Sequence, residues 1–305
     1  MTNNIIEQDI NPIPIVIIHL GNQSYFQDCV KINAVKNPVF VLGDYQNANT
    51  FTNNKITHIN CDTLDFSELQ QFRHHFTNYS TNSAAFELIC FVRIFYLKRF
   101  MEMHQIDRVF HVDSDCIVFD NVTQLYKHIF GSNSSDNGIA YSKNIDLNPH
   151  HMVGCVHNAY LTLDFCNKFI QLCFDIYVNK SKFHLIEPKI QWHRQNNIGG
   201  GICDMTLYYL LFSENILKMC DLNEIVVING EKSTFDHNIN IGYGYLGKDT
   251  FMMGKRIKTL TYKNGAPYAT DNTGQQIRLL SLHFSGVAKS VLGKTFDIIK
   301  GAAPP

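Results

Sequence analysis

Short apolar runs of strand length alternate with helix-compatible segments through roughly the first third of the chain, and this alternation restricts the fold more than any other feature. Residues 13–19, 38–42, 56–59 and 108–112 are rich in β-branched and aromatic side chains and too short for buried helices, so they read as buried strands. Between them, residues 25–35 and 64–76 carry helical apolar spacing. The clearest helix is 84–103, with Phe86, Ile89, Cys90, Ile94, Leu97 and Met101 mostly on one face. Strands that alternate with helices imply βαβ units, and hence an α/β fold with a mostly parallel central sheet flanked by helices.

The second half is less regular. Residues 160–178 and 204–212 read as helices, and 224–228 and 277–283 as strands. Residues 181–201 read as a polar loop that holds Trp192 and ends in Gly199-Gly200-Gly201. Residues 235–271, rich in Gly, Asn and Tyr, read as loops or hairpins. No repeat, low-complexity block or linker divides the chain, so one domain over residues 1–300 is expected, with a loose proline-ended tail at 301–305.

Composition narrows the function classes. Of 305 residues, 26 are Lys or Arg and 27 Asp or Glu, a net charge of -1. That balance argues against a nucleic-acid binder, which needs a cationic surplus. The 45% hydrophobic content supports a large core and excludes disorder as the dominant state. Only 17% of residues are charged, against about 25% in ordinary domains, so any ionic chemistry must be local. The 9 cysteines are scattered without a CxxC pair, which fits buried thiols in a reducing compartment. The longest apolar runs fall short of the roughly 20 residues that span a bilayer. Met1 to Asp9 lacks the basic start and apolar stretch of a signal peptide, so a cytoplasmic protein without a transmembrane segment is expected.

The strongest local motif is Asp113-Ser114-Asp115, which leaves the strand 108–112 and is followed at once by the apolar run 116–119. In an open α/β sheet the carboxyl end of a strand faces the ligand crevice. Two carboxylates placed there suit Mg²⁺ or Mn²⁺, and such a cation can neutralise a diphosphate. The plain alternative is a polar turn between two strands. Asp120-Asn121, beyond the second run, reads as the cap of a helix over 122–130. A second motif is His283-Phe284-Ser285-Gly286-Val287-Ala288-Lys289. His283 ends a strand and reads either as a third metal ligand or as an ordinary strand-end histidine. Gly286 permits a tight turn, and Lys289 can reach back to a phosphate.

Asp204 follows the glycine run, either as a helix cap or as a catalytic or acceptor-binding carboxylate, while the glycines would let a substrate approach the backbone. Arg93, on an otherwise apolar helix, needs an anionic partner if buried, with Asp113 or a diphosphate as candidates. His19 and Gly21 at the first strand end, and Asp44 after the second, lie where a nucleotide would sit, or are plain strand ends. His150, His151, Tyr160, Trp192 and His193 can stack on sugars or serve as packing.

As a set, these motifs resemble the glycosyltransferases of the GT-A fold, and in layout family 8, the glycogenin-like galactosyl- and glucosyltransferases. The resemblance covers about residues 13–290. It implies that the strand 13–19 ends at the nucleotide, that Arg93 lies near the donor, and that Asp113 and Asp115 meet Mn²⁺ (or Mg²⁺) with His283. It further implies that Lys289 contacts the diphosphate, that Asp204 contacts the sugars, and that Gly154 lies in a small-residue turn before a helix. Residues 12–125 would form the nucleotide-sugar half and 126–295 the acceptor half. Ser290-Val291 stands where the family has Pro-Trp, and Cys203-Asp204-Met205 where it has a longer amide-rich motif. The implied reaction moves a sugar from a nucleotide-diphosphate sugar, a UDP-sugar favoured, to a glycan or other hydroxyl acceptor. Asp204 would position the sugar, or act as base if the enzyme inverts. Two rivals are a sugar-nucleotide pyrophosphorylase or nucleotidyltransferase, and a non-catalytic sugar-binding protein. The first would favour a glycine-rich, basic loop near the N-terminus, whereas residues 19–23 hold one glycine and no Lys or Arg.

Overall fold

The computed structural model describes residues 11–131, 136–141, 149–240, 251–254 and 257–295. The readings of Met1 to Asp9, of the tail 301–305 and of part of 235–271 lie outside them. In chain order the elements are β1 (Ile15–Ile18), α1 (Ser24–Asn33), β2 (Val39–Gly43), β3 (Ile56–Asn60), α2 (Ser67–His75), α3 (Ala84–His104), β4 (Arg108–Val112), β5 (Cys116–Val118) and α4 (Val122–Phe130). They continue with β6 (Asn137–Tyr141), β7 (Gly154–Thr162), α5 (Leu163–Cys173), α6 (Glu187–Asn196), α7 (Asp204–Ser213), β8 (Met219–Asp221), β9 (Val226–Ile228), β10 (Glu231–Phe235), β11 (Leu260–Lys263), β12 (Ala266–Thr270) and β13 (Gln276–His283).

The first sheet runs β3-β2-β1-β4-β7-β6-β8. Strands β1 to β4 are mutually parallel along it, and β7 is inserted antiparallel between β4 and β6. This is the expected α/β class with a parallel-rich sheet. Strand β1 is buried on both faces, as a parallel sheet covered on both sides requires. Ile15 and Ile17 point into one core, with Phe26 of α1 and Tyr126 of α4. Val16 and Ile18 point into the other, with Phe95 of α3 and Phe169 of α5.

A second sheet, β11-β12-β13-β10-β9, also takes β5 as a partner of β13. The chain therefore leaves the first sheet at Val112 and enters the second at Cys116. Asp113-Ser114-Asp115 is the crossing. The register β5–β13 sets His283 opposite Cys116, which brings the end of the last strand beside the two carboxylates. The buried amide of Asn33 fixes this junction from α1: it donates to the Cys116 carbonyl at 3.0 Å and accepts from the Val118 N–H at 2.9 Å.

Several local expectations change. Helix α3 is buried on several faces, with Phe91, Val92, Ile94 and Phe95 all inaccessible, whereas Phe86 is 57% exposed. Its apolar residues are too many for one stripe because it lies between α2, α5 and the sheet. Tyr160 belongs to β7, not to a helix; the helix starts at Leu163, where the Thr162 hydroxyl accepts from the Phe165 N–H. Gly154 opens β7 and is not a turn before a helix. A Cβ there would lie 2.9 Å from the Tyr208 Cβ, so the glycine lets α7 pack against the strand. The segment 181–201 contains α6 with Trp192 in it, a helix that its polar sequence hides from periodicity. Asn121 does cap α4, accepting from the Gln124 N–H at 3.1 Å, while Asp120 pairs with Arg278 at 2.7 Å. All nine cysteines are free thiols. Among the described residues no helix is long and apolar enough to cross a membrane.

Candidate active site

The carboxyl ends of β1 and β4, the start of α7 and the end of β13 open into a cavity of about 1100 Å³. At its floor, one ligand atom each from Asp113, Asp115 and His283 lie within 4.8 Å of one another. Backbone bonds hold the turn that carries the carboxylates. The Asp113 N–H donates to the His157 carbonyl at 2.8 Å, the Cys116 N–H to the Asp113 carbonyl at 2.9 Å, and the Phe284 N–H to the Asp115 carbonyl at 2.8 Å.

Arg93 sits between two acids, 2.6 Å from Asp113 and 2.6 Å from Asp204. Burial alone would raise the Asp113 carboxyl, but Arg93 and the His111 imidazole outweigh it and hold the group well below the usual range. Burial likewise opposes ionisation of Asp115, and His283 and Lys289 win there too. Lys289 lies 3.1 Å from Asp115 and over the Tyr25 ring. Burial depresses His283, yet Asp115 and Asp113 raise its imidazole above the ordinary value.

The ring nitrogens define what fits between these groups. His283 Nδ1 lies 2.6 Å from the His237 carbonyl, so that nitrogen carries the hydrogen. In the neutral ring the Nε2 lone pair then faces Asp115 at 3.5 Å. The buried His111 ring lies with Nδ1 3.0 Å from the Val16 carbonyl and Nε2 3.4 Å from Asp113. Acceptors facing acceptors repel unless a proton or a cation lies between them. Two carboxylates and a neutral imidazole are a donor set that suits Mn²⁺ or Mg²⁺.

The remaining expected residues divide. His19 lines the cavity, with Nδ1 2.9 Å from the Ser114 hydroxyl, Nε2 on the Gln23 carboxamide and its ring stacked on Phe26. Gly21 and Asp44 are not among the lining residues. The Gly21 N–H and the Gln46 N–H donate to the two oxygens of Asp44, so that carboxylate ties the loop after β1 to the loop after β2. Asp204 is the first residue of α7 and only 3% exposed; one oxygen accepts the Met205 N–H and the other meets Arg93.

Within the glycine run, Gly201 is required by the chain itself. Gly201 has φ +132°, and a Cβ on it would lie 2.1 Å from the Tyr79 carbonyl oxygen. A bridge between Ser80 and Gly201 joins the two segments, and both line the cavity. Gly201 thus admits a neighbouring stretch of chain, and all three glycines line the cavity. His150, His151, Trp192 and His193 line the cavity wall, but Tyr160 does not: it is a core residue whose hydroxyl donates to the Val122 carbonyl.

Sequence reasoning missed Glu87 and Lys189, both lining the cavity and both almost fully buried. It also missed His111, His157 and Asp236 behind the floor. Asp236 falls in the segment read as loops, and the others are single polar residues in apolar or loop context, so no spacing marks them.

No protein-family model matches the chain, and no curated protein matches it. Solved structures with partial likeness include apo mouse xyloside xylosyltransferase 1, at 13% identity and TM-score 0.42 over 69% of this chain and 85% of that one. A glycosyltransferase involved in glycosylation of the major capsid of PBCV-1 aligns at 11% identity and TM-score 0.38, over 92% and 98%. A cytidylyltransferase from Leptospira borgpetersenii aligns at 11% identity and TM-score 0.30, over 60% and 73%. Likeness this distant carries no argument about activity, so the function rests on the site itself.

Proposed function

We propose that this chain is a metal-dependent glycosyltransferase of GT-A type that moves a sugar from a nucleotide-diphosphate sugar, a UDP-sugar favoured, to a glycan or other hydroxyl acceptor. The observation that carries this reading is the convergence of Asp113, Asp115 and His283 at the floor of one cavity, with Lys289 beside them. Asp113, Asp115 and His283 would hold Mn²⁺ or Mg²⁺. The bound cation would supply positive charge to a diphosphate leaving group.

The chain's own groups do the rest. Lys289, 3.1 Å from Asp115, would offer its ammonium to a phosphate oxygen as negative charge develops on the leaving group. Arg93 keeps Asp113 ionised and fixes Asp113 and Asp204 relative to each other. Asp204, held by Arg93, positions sugar hydroxyls. In an inverting reaction the same carboxylate would act as the base. His19 and Tyr25 line the end of the cavity nearest β1, where the nucleoside would lie. His150, Trp192 and His193, which also line the cavity, would offer flat faces to an acceptor sugar.

The test is a screen of nucleotide sugars for Mn²⁺-dependent donor hydrolysis. One donor should be hydrolysed, EDTA should abolish the reaction, and Asp115→Asn should lower it at least 100-fold. Full Mn²⁺-dependent hydrolysis by both Asp113→Ala and Asp115→Ala would sink the reading.

A further inference from the structure

His283 is held more firmly than a strand-end histidine requires. Its ring stacks on that of His157, with centroids 4.4 Å apart and planes 15° apart. Its Nδ1 faces the His237 carbonyl. Its backbone N–H donates to Asp236 Oδ2 at 3.0 Å. The other oxygen of Asp236 meets Lys258 Nζ at 2.6 Å, and both side chains of that pair are 5% exposed or less. The Asp236 N–H in turn donates to the Ser281 hydroxyl, two residues before His283 on β13.

A buried ion pair is a poor source of stability, because desolvation of both charges cancels much of the attraction. An apolar pair of the same volume would hold the two segments as well. What the pair supplies, and an apolar pair would not, is a carboxylate with one oxygen left over for the His283 amide. His157 is 1% exposed and enters from β7, a different sheet from β13. It therefore braces the imidazole from across the junction where the two carboxylates lie.

We propose that His157 and Asp236 are positioning residues for a divalent-cation site. His157 fixes the plane of the His283 imidazole by stacking, and Asp236, braced by Lys258, fixes the backbone from which that ring projects. The inference rests on the reading of Asp113, Asp115 and His283 as cation ligands. Groups that orient a ligating histidine typically change metal affinity about 10- to 100-fold when removed.

The experiment is a titration of the purified full chain with Mn²⁺, reading free aqueous Mn²⁺ by electron paramagnetic resonance. His157→Leu should weaken binding about 10- to 100-fold, while His157→Phe, which keeps a flat ring on His283, should stay within about threefold of the unmodified chain. In a His283→Ala background, His157→Leu should cause no further loss, since a positioning residue acts only through the group it positions. The paired substitution Asp236→Leu with Lys258→Met, which removes both buried charges and the acceptor of the His283 N–H together, should also weaken binding about 10-fold and gives a second route if His157→Leu does not fold. Undiminished binding in His157→Leu would overturn the role of His157, as would an equal loss with or without His283. Undiminished binding in the paired variant would overturn that of Asp236. Failure of the unmodified chain to bind Mn²⁺ would instead sink the cation reading itself, and this inference with it.

Discussion

Arg93 is the position whose removal has the most calculable consequence. Its guanidinium bridges Asp113 and Asp204 at 2.6 Å each, with side-chain exposures of 17% for Arg93, 28% for Asp113 and 5% for Asp204. In Arg93→Met the chain length and apolar stem are kept while the charge is lost. Two carboxylates then face the site with no cation between them, and one of them is almost fully buried. Breaking a buried pair from one side costs about 3–5 kcal/mol; because Asp113 is partly solvated, the single range covers both bonds. Unfolding entropy of about 2.1 cal/mol/K per residue gives roughly 0.6 kcal/mol/K for a chain of this size, so the melting temperature should fall by about 5–8 °C. Thermal unfolding in EDTA at neutral pH, followed by circular dichroism, measures this directly. Adding Asp204→Asn should recover at least half of the loss, because the deepest unpaired charge is gone. Mn²⁺ should also restore part of it, by placing positive charge beside Asp113. A melting temperature within about 1 °C of the unmodified chain, or no recovery on adding Asp204→Asn, would refute the account of Arg93 as the electrostatic link between the two acids.

Other perturbations have equally definite outcomes. Gly201→Ala would place a methyl 2.1 Å from the Tyr79 carbonyl in a backbone region hostile to side chains, so it should cost about 2–3 kcal/mol, read as a lower urea midpoint; an unchanged midpoint would count against the close approach. Asn33→Ala should cost about 2–3 kcal/mol by stranding the Cys116 carbonyl and the Val118 N–H, and hydrogen exchange at Val118 should accelerate. Acidification should destabilise the cation-free chain. Burial lowers the pKa of His19, His58, His151, His157 (to about 3) and His237, so the unfolded chain takes up protons first as pH falls below about 6.5. The stability these rings contribute is present above that pH and lost below it; His283, raised, works in the opposite sense but is outnumbered. A urea midpoint higher at pH 5.5 than at 7.5 would contradict this.

The parts of the site that lie in one stretch of sequence were legible there. Asp113 and Asp115 follow from a strand that ends in carboxylates and is followed by another apolar run. Asn121 as a cap, and Asp204 at a helix start, follow from local backbone chemistry and need no partner. Where partners decide, the sequence is silent. That Asp44 ties two loops, through the Gly21 and Gln46 amides, is visible only in the folded chain. In the Gly199-Gly200-Gly201 run, Gly201 is demanded by the chain at Tyr79 and Ser80, a partner no local pattern shows. Helix α6 is invisible because a half-exposed polar helix has no apolar stripe.

The sequence by itself determined the α/β class, through strand-length apolar runs alternating with helices, and it determined that any strong charge must be local. The tertiary structure alone decided which charges meet. Asp113 and Asp115 sit where the chain passes from one sheet to the other, and the β5–β13 register delivers His283 to them from some 170 residues away. Arg93 reaches both Asp113 and Asp204 only because α3 packs beneath β4 and α7 together. Propensity and periodicity act over a few residues and can be read from the chain, whereas an ion pair or a cation site depends on distances set by packing across the whole fold.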